Sequence, residues 1–175
     1  MVKLRSLNQK QKRAFAMFRW LSRNNTDIDL LSSVLYDQNT FSKAFIRDLY
    51  SCQNELIIES PFITTKRMEI FLPIFAKLRQ RDVRIIINTR NPNDHEEGYR
   101  QQALNAVADM QILGVKVLYT VGHHRKLAII DKEITWEGSL NILSFNDSCE
   151  IMRRITSAVI AKQLLSFSDL RKYLR

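Results

Sequence analysis

GHHRKLAIIDKEITWEGSLNILSFNDSCE, running from Gly122 to Glu150, is the stretch on which the reading of this chain turns. Leu127, Ala128, Ile129 and Ile130 form a short apolar run between polar neighbours, the pattern of a buried strand. A tight turn is expected at Asp131 to Glu133, with the following residues returning as the hairpin partner. With Lys132 and Glu133 at its centre, antiparallel register sets Lys126 opposite Ser139 and His124 opposite Asn141. All four then share one face, and a shift of the turn by one residue on both strands preserves that sharing. Asp131 falls on the other parity, so it is expected to anchor the turn and not to touch a substrate.

An imidazole, an ammonium, a hydroxyl and an amide on one surface describe a pocket for an anion, with a nucleophile or proton donor inside it. Phosphate is the natural anion. The competing reading makes His124 and Lys126 solvated residues at a strand end, and Ser139 and Asn141 local caps.

His124, Lys126 and Asp131 stand in the order H-x-K-x-x-x-x-D, followed by Gly138, Ser139 and Asn141 as G-S-x-N. In this order and spacing they resemble the HKD signature of the phospholipase D superfamily. The GSLNILS and EIMRR segments are similar to phospholipase D-like domains found alone as nucleases or attached to bacterial helicases. ELIIESPFIT, from Glu55 to Thr64, resembles that superfamily's first core strand and following loop. The resemblance covers the chain from about Phe45 onward. One departure is Lys132, where the family often has glycine, which leaves the turn type open.

The resemblance implies an α/β/α sandwich around a mixed sheet, and chemistry in which His124 attacks phosphorus to give a phosphohistidine. A neutral imidazole is suited to that attack. Lys126 and Asn141 are expected to hold the phosphoryl oxygens, with Ser139 adding a donor and Glu150 orienting the histidine's other ring nitrogen. Family members use two such histidines; this chain has one motif, so a homodimer with a composite site is implied. Neither a metal nor another cofactor is expected. His123 is expected to point away from the site.

A chain of 175 residues with 45% hydrophobic content suits one domain with a substantial core. A net charge of +9 and a pI near 9.8 favour a polyanionic partner, nucleic acid first and an anionic lipid surface second, though charge alone does not choose between them; of the nucleic acids, DNA is expected ahead of RNA. No apolar run approaches a membrane span and the N-terminus lacks the order of a signal peptide, so a cytoplasmic protein is expected. Cys52 and Cys149 cannot form a clustered zinc site with three histidines and are expected to be ordinary thiols.

Residues 1–44 read as a basic helical extension, and residues 45–175 as the catalytic domain. From Met1 to Thr26 there are seven Lys or Arg residues and no acid, with Ala14, Phe18 and Leu21 at helical spacing. Lys10, Lys12 and Arg13 are the residues expected to meet nucleic acid, unless this helix packs on the domain or lies on a membrane. Beyond it the pattern predicts helices over Thr40–Ser51, Thr65–Arg81, Tyr99–Leu113 and Ala158–Leu174. Strands are predicted over Glu55–Glu59, Val83–Asn88, Val115–Tyr119 and Ile151–Thr156, besides the hairpin. Gly114 suits the position just past a helix end. Asp94, His95, Glu96 and Glu97 lie in a polar loop whose spacing fits no familiar metal site, with a substrate contact left open. This order predicts a layered α/β domain with a mixed sheet. Three functions fit: a metal-independent nuclease, a lipid phosphodiesterase of the same superfamily, or a nucleic-acid-binding module without turnover.

Overall fold

The computed structural model describes residues 32–144 and 148–173, the Arg171 side chain excepted. Its strands are β1 (Ser33–Asp37), β2 (Glu55–Glu59), β3 (Arg84–Thr89), β4 (Lys116–Tyr119), β5 (Leu127–Ile130), β6 (Ile134–Gly138) and β7 (Ile151–Thr156). Its helices are α1 (Phe41–Ser51), α2 (Thr65–Gln80), α3 (Glu97–Ile112) and α4 (Ala158–Phe167), with short 3-10 turns at Pro92–Asp94 and Leu170–Tyr173.

The strands form one mixed sheet in the order β1-β7-β6-β5-β2-β3-β4. β2, β3 and β4 run parallel, and α2 and α3 supply their crossovers. β5, β6, β7 and β1 continue the sheet antiparallel.

Alternation on the strands separates two cores. Leu56, Ile58, Ile85, Ile87, Ala128, Ile130 and Trp136 meet Phe41, Phe45, Phe71, Phe75 and Met110 from α1, α2 and α3. Ile57, Ile86, Leu127 and Ile129 face the other way, onto Ala161 and Leu165 of α4 and Leu170. Both faces of β2 and β5 are therefore covered, which is why each reads as a continuous apolar run. The layers are α/β/α, as expected, but unequal: three helices lie on one face and one on the other.

Among the described residues, that inequality leaves part of the α4 face open. One row crosses the sheet through Leu35, Arg153, Glu137, Leu127, Glu59 and Asn88. At its β1 end Leu35 is 55% exposed, and Ile151 and Phe167 beside it are 50% and 76% exposed.

Three sequence expectations need correction. β1 was missed: Ser33–Asp37 pairs antiparallel with β7, and Phe41 and Ala44 lie in the core. The boundary drawn between residues 44 and 45 thus falls inside α1, and the sheet-bearing unit extends back to Ser33. Lys10, Lys12 and Arg13 lie outside the described residues. The closing helix stops at Phe167 and gives way to a 3-10 turn, with Asp169 at φ 57° breaking the helical path.

The hairpin register is also one residue from the expected one. Ile130 pairs with Ile134 and Leu127 with Glu137, so the loop holds Asp131, Lys132 and Glu133. The Glu133 N–H donates to the Ile130 carbonyl at 3.0 Å, and Asp131 and Lys132 take φ values of 52° and 58°. Two successive positive φ values belong to a primed turn, whose twist matches the strands; the lysine occupies a position that glycine usually fills.

Candidate active site

The site lies where the chain enters β5 and leaves β6. Gly122, at φ 65°, turns the chain after β4, and the His123 N–H donates to the Thr120 carbonyl at 3.2 Å. His124 follows as an exposed residue, and half-buried Lys126 immediately precedes β5. Lys126 Nζ donates to the His124 carbonyl at 2.8 Å and lies 3.0 Å from Nδ1 and 3.4 Å from Nε2 of its ring. An ammonium has only donors, so the ring nitrogen that meets it is the one without a proton. Burial lowers the Lys126 pKa from its ordinary value, and the charge of Glu150 works against that.

On the opposing strand Gly138 cannot carry a side chain. A Cβ there would collide with the Ile151 carbonyl and come within 2.8 Å of Met152 Sδ. The Gly138 N–H donates to the Lys126 carbonyl, so the observed ladder sets Gly138, and not Ser139, beside Lys126. Ser139 reaches the site region by leaving the ladder. Its N–H donates to the Ile151 carbonyl at 2.9 Å, its Oγ accepts from the Ile151 N–H at 3.1 Å, and its hydroxyl donates to Glu150.

Asn141 is buried, and its Oδ1 has no hydrogen-bond partner among the described residues. The turn that carries it is pinned from three directions. Arg67 Nε donates to the Ile142 carbonyl at 2.9 Å, the Thr64 N–H to the Leu143 carbonyl at 3.0 Å, and the Leu143 N–H to Ser60 Oγ at 3.1 Å. Arg67 is itself buried, stacked over Phe71, and held by that burial to a pKa of about 10.

The anticipated pairings of Lys126 with Ser139 and of His124 with Asn141 are not those of the observed register, and the contacts present are different ones. His124 meets Lys126, and Ser139 meets Glu150. Glu150 accepts from Ser139 and from Ser148 Oγ at 2.8 Å, and these bonds hold its pKa below the ordinary value. Among the described residues no hydrogen bond joins it to His124. Asp131 sits at the other end of β5, where it accepts from the backbone N–H groups of Gln53, Asn54 and Glu55 at 2.8, 2.7 and 2.9 Å. It anchors the turn, as its parity indicated. Cys52 lies beside it, its thiol pushed up to about 12 by burial and then by the Asp131 charge; Cys52 and Cys149 are both free.

Sequence reasoning missed the residues beneath the motif. Glu59, fully buried at the end of β2, accepts from Arg125 Nε at 2.5 Å and Nη2 at 2.8 Å, and from Asn88 Nδ2 at 2.8 Å. Thr120 Oγ1 in turn donates to Asn88 Oδ1 at 3.0 Å. His123 is buried; its Nε2 lacks a partner among the described residues, and burial lowers its pKa against the pull of Glu59. A carboxylate closing the otherwise apolar core of ELIIE was the available signal, since a buried acid requires a partner. His95, in the loop whose role was left open, packs its ring 5.3 Å from that of Phe62.

His124, Arg125, Lys126, Glu137, Gly138 and Arg153 share a cleft of about 480 Å³ with Leu35, Ile151 and Phe167. Asn141 and Glu150 line a separate small cavity with Arg67 and Ser144. A cationic cleft with a histidine at its mouth, built on this mixed sheet, is equipped to bind a phosphate ester and attack it. Comparison with known families gives the class its name: residues 45–170 match the family described as cardiolipin synthase, PLD-like domain, and the chain belongs to this branch of the phospholipase D superfamily.

Cardiolipin synthase A of Pseudomonas syringae pv. syringae (strain B728a) is 30% identical over 133 residues, which is 74% of this chain and 27% of that protein. The chain thus spans about a quarter of that curated relative. Among solved structures, Nuc of Salmonella typhimurium, a phospholipase D family member, has a TM-score of 0.64 at 14% identity, covering 78% of this chain and 90% of Nuc. NucT of Helicobacter pylori has a TM-score of 0.59 at 16% identity, covering 77% and 91%. These likenesses are of fold.

Proposed function

We propose that the domain is a phosphodiesterase that cleaves the nucleic-acid backbone through a phosphohistidine, without requiring a metal. The observation that carries this reading is the contact of Lys126 with the His124 ring at the mouth of a cationic cleft. In the first step a ring nitrogen of His124 attacks phosphorus, a P–N bond forms, and the P–O bond to the leaving group breaks. The second copy's His124 protonates the leaving oxygen. Water then attacks the phosphohistidine and gives up a proton to that second histidine; the P–N bond breaks and both rings are restored. Lys126 and the amide of Asn141 meet the charge that gathers on the phosphoryl oxygens.

The residues given hold one motif, and in this reading the second histidine comes from a second copy. The open end of the α4 face, with exposed Leu35, Ile151 and Phe167 in the same cleft as His124, supports pairing there. Nucleic acid is favoured as substrate by the net charge of +9. The specific observations for a lipid substrate are the apolar wall of the cleft and the likeness to a cardiolipin synthase.

The test is incubation in excess chelator with labelled single- and double-stranded DNA and RNA and, in parallel, phospholipid vesicles. Cleavage of nucleic acid, with an acid-labile, base-stable phosphoprotein that is absent from His124→Asn, is the expected result. Turnover of lipid alone would transfer the reading to the second substrate, and loss of all activity on chelation would overturn it.

A further inference from the structure

Between the two motif residues stands Arg125, whose side chain takes no part in the chemistry described above. It lines the same cleft as His124 and Lys126, and it is 36% exposed. Two of its nitrogens, Nε and Nη2, are spent on Glu59. The third, Nη1, has no hydrogen-bond partner among the described residues.

Glu59 makes this arrangement costly. Its side chain is fully buried, and a carboxylate at such a position carries a desolvation penalty that attraction to one partner does not reliably recover. For stability alone an apolar pair would serve as well. What the buried acid achieves is rigidity: a fork-to-fork contact fixes the plane of the guanidinium. Asn88 fixes the carboxylate in turn, and Thr120 fixes Asn88. The outer edge of the arginine is thereby held at one place in the cleft before any ligand arrives. Arg153, across the cleft on β7, has no ion-pair partner among the described residues. Glu137 is the single acid among the residues lining this cleft, so the cleft favours a ligand with more than one negative oxygen.

We propose that Arg125 is a substrate-binding residue of this site, presenting Nη1 to a phosphate oxygen beside the group attacked by His124, and that Glu59 is the positioning residue that holds it there. The inference rests on the proposed phosphodiesterase chemistry and adds a phosphate contact outside the histidine and lysine of the motif. The ligand class is a phosphodiester or a free phosphate.

The experiment uses the whole chain, with three variants: Arg125→Lys, Glu59→Gln, and the pair Glu59→Gln with Arg125→Ala. The paired variant leaves no buried charge uncompensated, so it keeps the test intact if a single change unfolds the protein. Turnover of a chromogenic phosphodiester, melting temperature and binding of inorganic phosphate are measured on each. The paired variant is expected to melt near wild type and to lose about 100-fold in kcat/KM. Glu59→Gln is expected to lose about tenfold, as for a residue that orients a ligand-binding group. Added guanidine should restore part of the paired variant's activity, which a purely structural loss would not permit.

If wild type turns over and the folded variants match it, Arg125 has no such role and the pair is structural. If wild type is inactive and indistinguishable from His124→Asn, the phosphodiesterase reading fails, and phosphate binding then decides this inference. Weaker binding in the paired variant than in wild type supports it; equal binding overturns it.

Discussion

The two ends of β5 are built on opposite principles. At the Asp131 end one carboxylate accepts three backbone N–H groups, and the turn is closed on itself. At the His124 end the polar groups are left over: the Nε2 of His123 and the Oδ1 of Asn141 have no partners among the described residues. Unsatisfied buried polar atoms cost about 1–3 kcal/mol each, and a bound ligand is one way to recover that cost; at the Asp131 end Glu55 Oε1 is the one such atom among the described residues. The motif's aspartate serves the first end, and its histidine and lysine serve the second.

The comparison can be broken by exchanging the effects of the two ends. The largest expected effect is at the open one: His124→Asn should lower kcat by about 10⁴-fold or more, as loss of a nucleophile does, while the melting temperature stays at the wild-type value. A residual rate within tenfold of wild type would move the chemistry elsewhere. At the closed end Asp131→Ala strands three N–H donors and should cost about 3 kcal/mol of stability, read by urea denaturation, with kcat of the folded fraction unchanged. A fall in kcat with stability intact would give Asp131 a part in the reaction. Asn141→Ala should fall between these in character, losing about 100-fold in kcat if its amide meets the developing charge. A change confined to stability would return it to the fold.

The smallest effect is one of pH. Burial alone would raise the Asp131 pKa, but its backbone hydrogen bonds outweigh burial and hold it below its ordinary 3.8. A carboxyl lowered on folding contributes stability that is complete above the unfolded pKa and is lost as pH falls through the folded one. Melting temperature should therefore drop on acidification below pH 3.8. Asp131→Asn should flatten that limb and leave the neutral region lower throughout. An unchanged acid limb would assign the acid sensitivity to other carboxylates.

What could be read in the sequence was whatever local pattern dictates. ELIIE and LAII were legible because both faces of these strands are buried, and α2 because Met68, Phe71, Ile74, Phe75 and Leu78 recur at helical spacing. β1 was not legible. As an edge strand it exposes Val34 and Leu35 in succession, so SVLYD shows no alternation, and the sheet alone gives it its place. The motif pointed to His124, Lys126, Ser139 and Asn141, but the register that set them on one face is one residue from the true one. Ser139 and Asn141 are instead placed by an irregular turn pinned by Arg67 and Ser60, and Asn141 lines a cavity separate from the His124 cleft. That pinning depends on contacts 75 and 83 residues apart, as the Glu59–Arg125 pair depends on β2 lying beside β5.

Lys132 shows what the hairpin exchanged for its glycine. A left-handed backbone costs a residue with a Cβ about 1–2 kcal/mol. The same residue brings Nζ to 4.0 Å from Glu55 Oε1, a buried carboxylate oxygen that has no hydrogen bond of its own and whose neighbour Oε2 is engaged by Arg84. The strained turn thus works as a counter-ion carrier for the far end of β2. Glycine at position 132 would relax the backbone and leave that oxygen uncompensated, so relief in one strand connection becomes electrostatic debt in its neighbour.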